Sequence, residues 1–506
     1  MKKLELETII GLEIHLEIKT QSKLFCSCSN NTKLTEPNVQ ICPICLGQPG
    51  VLPIFNKEAL KNILILGLAL KGKINLISWF DRKNYFYPDL PKGYQISQYS
   101  LPFIKGGCVE IDSADGVRKI SLERIHLEED TAKLIHSSDD QWSSLDFNRA
   151  GVPLMEIVTE PCLKSPFEAK IFLQELRTIA RYLNISEADM EKGQFRCDAN
   201  ISLRPKGEKK YFPKTEIKNL NSFKAVEDAL EYEIVRQTKL WQEKKQPKIS
   251  STRGWDEKKK NTYSQRSKED IQDYRYFPEP DLPSIDFNEL KKEDIDLELL
   301  EKNIIELPGT RKKRLIQMYN FSSVDANILI ENKGLVDFIE EALIKLREWI
   351  VSTDIIDGTE EEIWETSKHQ ISKVTANWLI NRLLPLLKKD GKNEKDISLE
   401  KFVEFIVLIY EKKISSTLAQ TILERIFVKN ESLSQIMDHP SVKQIDSEDN
   451  LIDIVREVIK NNQDTVDKYK QGKHQVVQYL IGQVMKKTNG QANPKLVQEL
   501  FEKELS

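Results

Sequence analysis

The sequence predicts an α+β body followed by an all-helical tail. Two observations carry this. Up to about residue 290 the chain runs in short alternating apolar and polar stretches broken by Pro and Gly, as at Tyr87-Pro88-Asp89-Leu90-Pro91-Lys92-Gly93. From about Leu290 the apolar residues recur at helical spacing and do so to the end. At roughly 150 residues per domain, 506 residues suggest about three domains. These are read as 1–290, 291–400 and 401–506.

Taken in order, Leu12, Ile14, Leu16 and Ile18 share one face of a first strand. A helix is predicted from Ser165, a good N-cap, with Pro166 in its first turn and Phe167, Ile171, Leu176, Ile179 and Leu183 near helical spacing. A second helix is predicted over Phe223–Glu243. Leu329 to Ile350 reads as an amphipathic helix pair. Asp354–Glu365 and Asp390–Asp396 are candidate hinges. The C-terminal stretch reads as three helices, Leu451–Asn461, His474–Lys487 and Pro494–Glu504, the last with Asn493 as N-cap.

Composition excludes several classes. A fraction of 40% hydrophobic and 30% charged residues is that of an ordinary globular protein. The longest apolar run, Ile63–Leu70, is too short to span a bilayer, so no membrane role is expected. No apolar signal core follows the Met-Lys-Lys start, and a cytoplasmic location is expected. The net charge of −4 argues that any nucleic-acid contact is local.

The opposite strand faces are chemically loaded. Glu13, His15, Glu17 and Lys19 lie across from the first apolar face. Arg124, His126, Glu128 and Asp130 share another face; so do Arg196, Asp198, Asn200, Ser202 and Arg204, and Lys214, Glu216 and Lys218. Glu156 and Glu160 lie two strand repeats apart. Any one such strand is also what a solvated antiparallel face looks like. Five together, rich in carboxylates with two histidines, suit a sheet that holds Mg²⁺ and a nucleotide polyphosphate. Gly67-Leu-Ala-Leu-Lys-Gly72-Lys73-Ile74 imitates a phosphate-binding P-loop, but Ile74 offers no hydroxyl and a helix precedes it. A helix C-terminus capped by Gly72 is expected there instead.

Cys26-Ser-Cys28 and Cys42-Pro-Ile-Cys45 can present four thiolates to a structural zinc. Four unliganded core cysteines or a redox pair fit the same spacing. Cys108, Cys162 and Cys197 are scattered and expected to be buried packing residues. No Ser/His/Asp order or amidase-like loop is present, so an activated nucleophile, if used, comes from another protein. From Arg456 onward nine Lys/Arg face six Asp/Glu, a local excess able to meet a phosphate backbone or simply to solvate a helical face.

Eight motifs then occur in one order. They are Thr8–His15, Phe25–Cys28, Cys42–Gly47, Tyr85–Tyr94, Asp146–Arg149, Arg196–Ser202, Glu216–Phe223 and Asp273–Pro283. Over its whole length the chain resembles the GatB family, the B subunits of bacterial aspartyl/glutamyl-tRNA(Asn/Gln) amidotransferases, ending in a YqeY-like helical tail.

The resemblance implies a glutamine-synthetase-like, mostly antiparallel sheet cradle and a carbon–nitrogen ligase activity with ATP and Mg²⁺. The side-chain carboxylate of Glu on tRNA(Gln), or Asp on tRNA(Asn), would be phosphorylated and then amidated. Ammonia would come from an amidase (A) subunit in a heterotrimer with a small C subunit. Carried across residue by residue, Glu13, His15, Glu128 and Glu156 are expected to hold Mg²⁺, directly or through water. Asp198 is a further candidate. Arg149, Asn200, Glu216 and Lys218 are expected nucleotide or substrate contacts, and Cys26, Cys28, Cys42 and Cys45 the zinc ligands. The Tyr274–Pro283 loop would shape the mouth for the tRNA 3′ end, or act as a rigid crossing. The tail would hold the tRNA elbow by shape and phosphate contacts. Cys162 stands where the family has Asp, and Gln194-Phe195 replaces smaller residues. Two other readings remain: a zinc-containing tRNA scaffold without catalysis, and a stand-alone carboxylate–amine ligase.

Overall fold

The computed structural model describes residues 5–31, 36–137, 141–267, 273–290, 295–353, 356–437, 439, 448–470, 474–488, 491–492 and 494–505. They form two units, dividing between Gly309 and Thr310.

The first unit is built on a ten-stranded sheet. Its strands are β1 (Leu6–Glu17), β2 (Lys73–Ile74), β3 (Ile104–Lys105), β4 (Cys108–Ser113), β5 (Gly116–Glu129), β6 (Pro153–Thr159), β7 (Phe195–Pro205), β8 (Thr215–Leu220), β9 (Ser251–Asp256) and β10 (Asn261–Ser267). Across the sheet the order is β10-β9-β8-β7-β1-β6-β5-β3-β2, with β4 beside β5. Every pairing is antiparallel except β8 with β9. The first strand thus becomes the centre of the sheet.

Period-2 alternation explains the faces. Ile10, Leu12, Ile14 and Leu16 are buried and join one core with Ile125, Leu127, Met155, Ile157, Ala199 and Ile201. Helices α1 (Lys57–Ala69), α2 (Pro166–Tyr182) and α3 (Phe223–Gln242) contribute Ile63 and Leu64, Phe172 and Leu173, and Val226 and Leu230 to that core. Each such side chain contributes about 1.5–3 kcal/mol on burial. The opposite face is free of this core. Ser165 caps α2 by accepting from the Glu168 amide, as expected, and Ser222 caps α3 through Ala225. The P-loop look-alike is the end of α1. There the left-handed cap residue is Lys71 (φ +59), not Gly72. The Gly72 amide donates to Gly67 O at 2.8 Å. A Cβ on either glycine would lie 2.4 Å from Ile104, so close packing selects them.

In the second unit the expected helix pair is Ser323–Ile330 and Lys333–Val351. The second half of the expected Asp354–Glu365 hinge is the start of a helix, Glu360–Trp378, opened by a capping box between Thr359 and Glu362; residues 354–355 lie outside the described residues. That helix widens into a π-turn at Leu379–Leu383 just before Pro385, which has no amide to donate. The expected break at 400/401 falls inside the helix Leu399–Tyr410, whose Phe402 and Phe405 bury in one core with Leu343 and Leu383. A separate core begins at Leu451, formed with Val455, Leu480, Val484, Leu500 and Phe501. It contains a fourth helix, Gln463–Lys470, which the sequence hides because only Val466 in it is buried. The predicted N-cap Asn493 lies outside the described residues.

Glu233 on α3 shows how the helix layer is pinned to the sheet. It is fully buried, takes both ends of the Arg236 guanidinium at 2.8 Å and accepts from Thr262 Oγ1 at 2.6 Å. Burial raises its pKa, but Arg236, Thr262 and Gln237 outweigh burial and hold it below the ordinary carboxylate range. Its stabilisation is therefore present above the unfolded value and lost as pH falls through the depressed folded value. Glu233→Ala should cost about 3–5 kcal/mol, read as a lower urea midpoint at pH 7. The difference from wild type should shrink below about pH 4.

Candidate active site and thiol cluster

Register on the free face of the sheet assembles the site. β7, β1, β6 and β5 are neighbours, and their pairing sets Arg196, His15, Glu156 and His126 directly opposite one another in one row. The next row holds Asp198, Glu13, Val158 and Arg124. Glu17, Leu154 and Glu128 form the row on the other side. Four short alternating segments, distant in sequence, thereby place acids and imidazoles side by side.

His15 Nε2 lies 3.5 Å from Glu128 Oε1 and 3.5 Å from Glu156 Oε2. His126 Nε2 lies 3.4 Å from the same Glu156 oxygen and 3.8 Å from Glu128 Oε2. Ser97 Oγ donates to Glu128 at 3.1 Å, and Arg124 approaches Glu156 at 3.7 Å. Glu128 is 2% and His126 3% exposed, so these charges are nearly out of water. Burial disfavours the charged forms of all four groups, and their mutual attraction reverses it. It holds both carboxylates below their ordinary range, raises His15, and pushes His126 up to about 9.

Glu13 does not join this cluster. It lines the same cleft, but its carboxylate accepts from Asn200 Nδ2 at 2.9 Å and meets Lys214 at 3.7 Å. Asp198 is held by Lys218 at 2.6 Å, and Lys218 also reaches Glu216 at 3.1 Å. A bulge aims that lysine: Lys218 and Asn219 (φ +65) together oppose Asp198. Arg149 stands further off, donating to Thr131 O and Ala132 O and lying 3.6 Å from Asp130, which Arg196 binds at 2.8 Å.

Three residues not named among the expected site residues belong here: His126 and Arg124, which the sequence places on a loaded face, and Lys83, which it does not single out. Lys83 is on the strand Asp81–Asn84, outside the loaded faces, and only the adjoining Tyr85-Phe86-Tyr87 run hints at it. Burial works against its charge, but Glu128 and Glu156 raise its pKa above the ordinary value. It sits 5.0 Å from the Tyr274 ring. The 273–283 strap closes over it. Asn84 bonds the carbonyls of Tyr274 and Arg275, Arg82 clamps Glu279 at 2.7 Å, and Tyr276 stacks on Tyr99 at 4.3 Å. Below the strap lies a cleft of about 590 Å³ lined by Glu13, His15, Lys83, Glu156, Lys218 and Tyr276.

The donor set fits a hard divalent ion. Two donors sharing Mg²⁺ at about 2.1 Å lie roughly 3–4.2 Å apart. One ligand atom each from His15, Glu128 and Glu156 lies within 4.8 Å of the others. Among the described residues the buried Nδ1 of His126 has no hydrogen-bond partner. The second cluster fits zinc: Sγ atoms of Cys26, Cys28, Cys42 and Cys45 lie within 4.8 Å of one another. Their hydrogen bonding raises Cys26 and pushes Cys45 down to about 4, with Lys23 helping, while burial pushes Cys28 up to about 11. Four thiols in contact cannot all ionise without a cation. Of the scattered cysteines, Cys197 is buried as expected; Cys108 and Cys162 are half-buried, at the sheet's margin.

Residues 8–293 match the family described as the GatB/GatE catalytic domain, and residues 361–505 the GatB domain. A relative from Dehalococcoides mccartyi, named as the B subunit of aspartyl/glutamyl-tRNA(Asn/Gln) amidotransferase, is 43% identical over 99% of both chains. Relatives of the same name from Carboxydothermus hydrogenoformans (42%, 99% of each chain) and Thermodesulfovibrio yellowstonii (44%, 98% of this chain, 99% of the relative) agree. The chain belongs to the GatB family. The resemblance seen in the eight motifs thus holds, as do the α+β fold with its helical C-terminal region and the assignment to a tRNA-amidating, carbon–nitrogen ligase complex. The family's catalytic-domain match covers the sheet, both clusters and the strap. No described helix is long and apolar enough to cross a membrane.

Glu128→Gln preserves volume and removes one donor charge. It should weaken Mn²⁺ or Mg²⁺ binding by about tenfold or more in calorimetric titration. It should also lower the melting temperature at neutral pH, because His126, His15 and Lys83 favour the Glu128 carboxylate by more than burial and Glu156 disfavour it. Equal binding in the two proteins would put the ion elsewhere.

Proposed function

We propose that this GatB chain uses ATP to phosphorylate the side-chain carboxylate of Glu mischarged on tRNA(Gln), Asp mischarged on tRNA(Asn), or both, and then amidates it. The observation that carries the reading is the His15–Glu128–Glu156 cluster in a cleft that also holds Lys83, Arg124, Lys214 and Lys218. A carboxylate is a poor electrophile because oxide leaves badly. Its oxygen attacks the γ-phosphorus, the bond to ADP breaks, and an acyl phosphate forms. Ammonia then attacks the acyl carbon, phosphate leaves, a proton is lost, and the amide remains.

Such transfer needs positioning and charge neutralisation more than covalent help. Mg²⁺, held by His15, Glu128 and Glu156, would supply charge for the transferring phosphoryl group. Lys83 and Arg124 face the same space. Lys218, braced by Asp198 and Glu216, is held at its edge, and Arg149 supports the site through Asp130 without reaching it.

The nucleotide has room beside the cluster. A cavity of about 480 Å³ shares Glu13, Arg124 and Lys214 with the cleft and continues past Gly11, Asn200, Tyr211 and Phe212. Gly11 lies four residues from His15, roughly 13 Å along a strand, a span suited to a triphosphate and ribose. No backbone need explains this glycine: an added Cβ would meet only ordinary contacts, at 3.7 Å and beyond. Its bareness keeps the cavity floor open.

The aminoacyl end would enter under the Tyr274–Pro283 strap, where Tyr99 is 61% exposed and Tyr276 stacks on it. The tail would grip tRNA phosphates. Three of its basic residues, Arg456, Lys487 and Lys503, are tied to Glu504, Glu457 and Glu448, which reduces its free charge. Ammonia would arrive from an amidase (A) subunit, with a small C subunit completing a heterotrimer. Zinc on the four cysteines would be structural, since four protein ligands leave no open position.

The purified complex is incubated with γ-labelled ATP and mischarged tRNA. Labelled phosphate should form only with Glu-tRNA(Gln) or Asp-tRNA(Asn). Glu156→Ala should abolish it, whereas a non-catalytic scaffold would lose only stability. Turnover on free glutamate without tRNA would contradict the reading. Gly11→Val should fold normally and raise the KM for ATP about tenfold, equivalent to ~1.4 kcal/mol, with little change in the KM for tRNA.

A further inference from the structure

Lys23 is 0% exposed, although it carries an ammonium group. Buried cations persist only where they are paired and hydrogen-bonded. Its Nζ has three neighbours: Gln40 O at 2.9 Å, Phe147 O at 3.4 Å and Cys45 Sγ at 3.7 Å. Two are neutral carbonyls, and among the described residues no carboxylate forms an ion pair with it. The remaining neighbour is one of the four clustered cysteines. We propose that Lys23 is the built-in counter-charge of the zinc–thiolate cluster and a positioning residue that ties this cluster to the 146–151 turn. The proposal rests on the zinc reading.

The charge arithmetic favours it. Four thiolates around Zn²⁺ carry a net −2 in a partly buried loop, and one ammonium halves that. An N–H···S bond also draws electron density from the sulfur, which makes a bound thiolate a poorer target for oxidants and for protons. The neutral partners of Lys23 supply the structural half. Phe147 O belongs to the turn, the Leu24 amide donates to Gly151 O at 2.8 Å, and Gly151 takes a left-handed φ of +83. A Cβ there would face Cys45 Cβ and Lys23 Cδ, each at 3.6 Å. From the same turn Arg149 reaches Asp130, the partner of Arg196. Lys23 therefore stands where the cysteine loop meets the support of the Mg²⁺-candidate row.

The test compares the full-length chain with Lys23→Met, which keeps the stem and loses the charge, and Lys23→Arg, which keeps the charge. Zinc per chain is measured by mass spectrometry, and the release rate with a metallochromic chelator in the presence of hydrogen peroxide. Melting is recorded for zinc-loaded and zinc-stripped protein. Lys23→Met should bind zinc about 10- to 100-fold more weakly and release it correspondingly faster, with Lys23→Arg in between. Its melting temperature should fall clearly further in loaded protein than in stripped protein, where only the contacts to Gln40 O, Phe147 O and Cys45 are lost. Wild-type zinc retention in Lys23→Met, or the same fall in melting temperature with and without zinc, would overturn the proposal. A wild-type chain holding no zinc would overturn the zinc reading itself and the proposal with it.

Discussion

Two carboxylates, Glu128 and Glu156, are pressed together on one face of a sheet and nearly removed from water. At about 4–5 Å and an effective dielectric near 20, their repulsion is on the order of 3–4 kcal/mol. The surrounding structure answers that cost. His15, His126, Lys83 and Arg124 converge on the pair from two strands and a neighbouring hairpin, and the cluster has the donor spacing a divalent ion needs. A site that must hold negative charge close together before substrate arrives suits chemistry in which phosphate charge moves.

The fold supplies this arrangement through register. Placing the first strand in the middle lets β7 and β6 flank it, so the rows of the free face mix residues from four distant segments. A one-residue slip in any pairing would turn those side chains into the apolar core. The core on the other face, with α2 and α3 pinned through buried groups such as Glu233, holds the register. Bulges opposite Asp198 and beside Val158 lie next to the site, where they re-aim individual side chains. The tyrosine strap and the cysteine loop approach from outside the sheet, each anchored by its own cation, the half-buried Arg82 and the fully buried Lys23.

Much of this is legible in the sequence. Strict alternation at Leu12–Ile18 and Arg196–Arg204 defines both faces, and Ser165-Pro166 marks the start of α2, because these features depend only on local geometry. The two metal-candidate clusters can be named, though Glu13 stands outside the three-residue cluster: alternation puts it on the right face but cannot show that Asn200 and Lys214 meet its carboxylate. Lys83 is hidden because its role comes from a strand pair off the main sheet. His126 is visible on its face, and only the register that sets it against Glu156 marks it as part of the cluster. The helical region is legible in kind but not in its divisions. The break near residue 400 fails because Phe402 and Phe405 pack backward into the preceding core, and the short Gln463–Lys470 helix has too few apolar residues to declare itself.

The most direct measurement replaces Mg²⁺ with Mn²⁺ in crystals of the protein and locates it by anomalous scattering. A single strong peak within about 2.3 Å of His15 Nε2 and of oxygens from Glu128 and Glu156 is predicted. A peak bound to none of these residues, with the three side chains still clustered and empty, would contradict it.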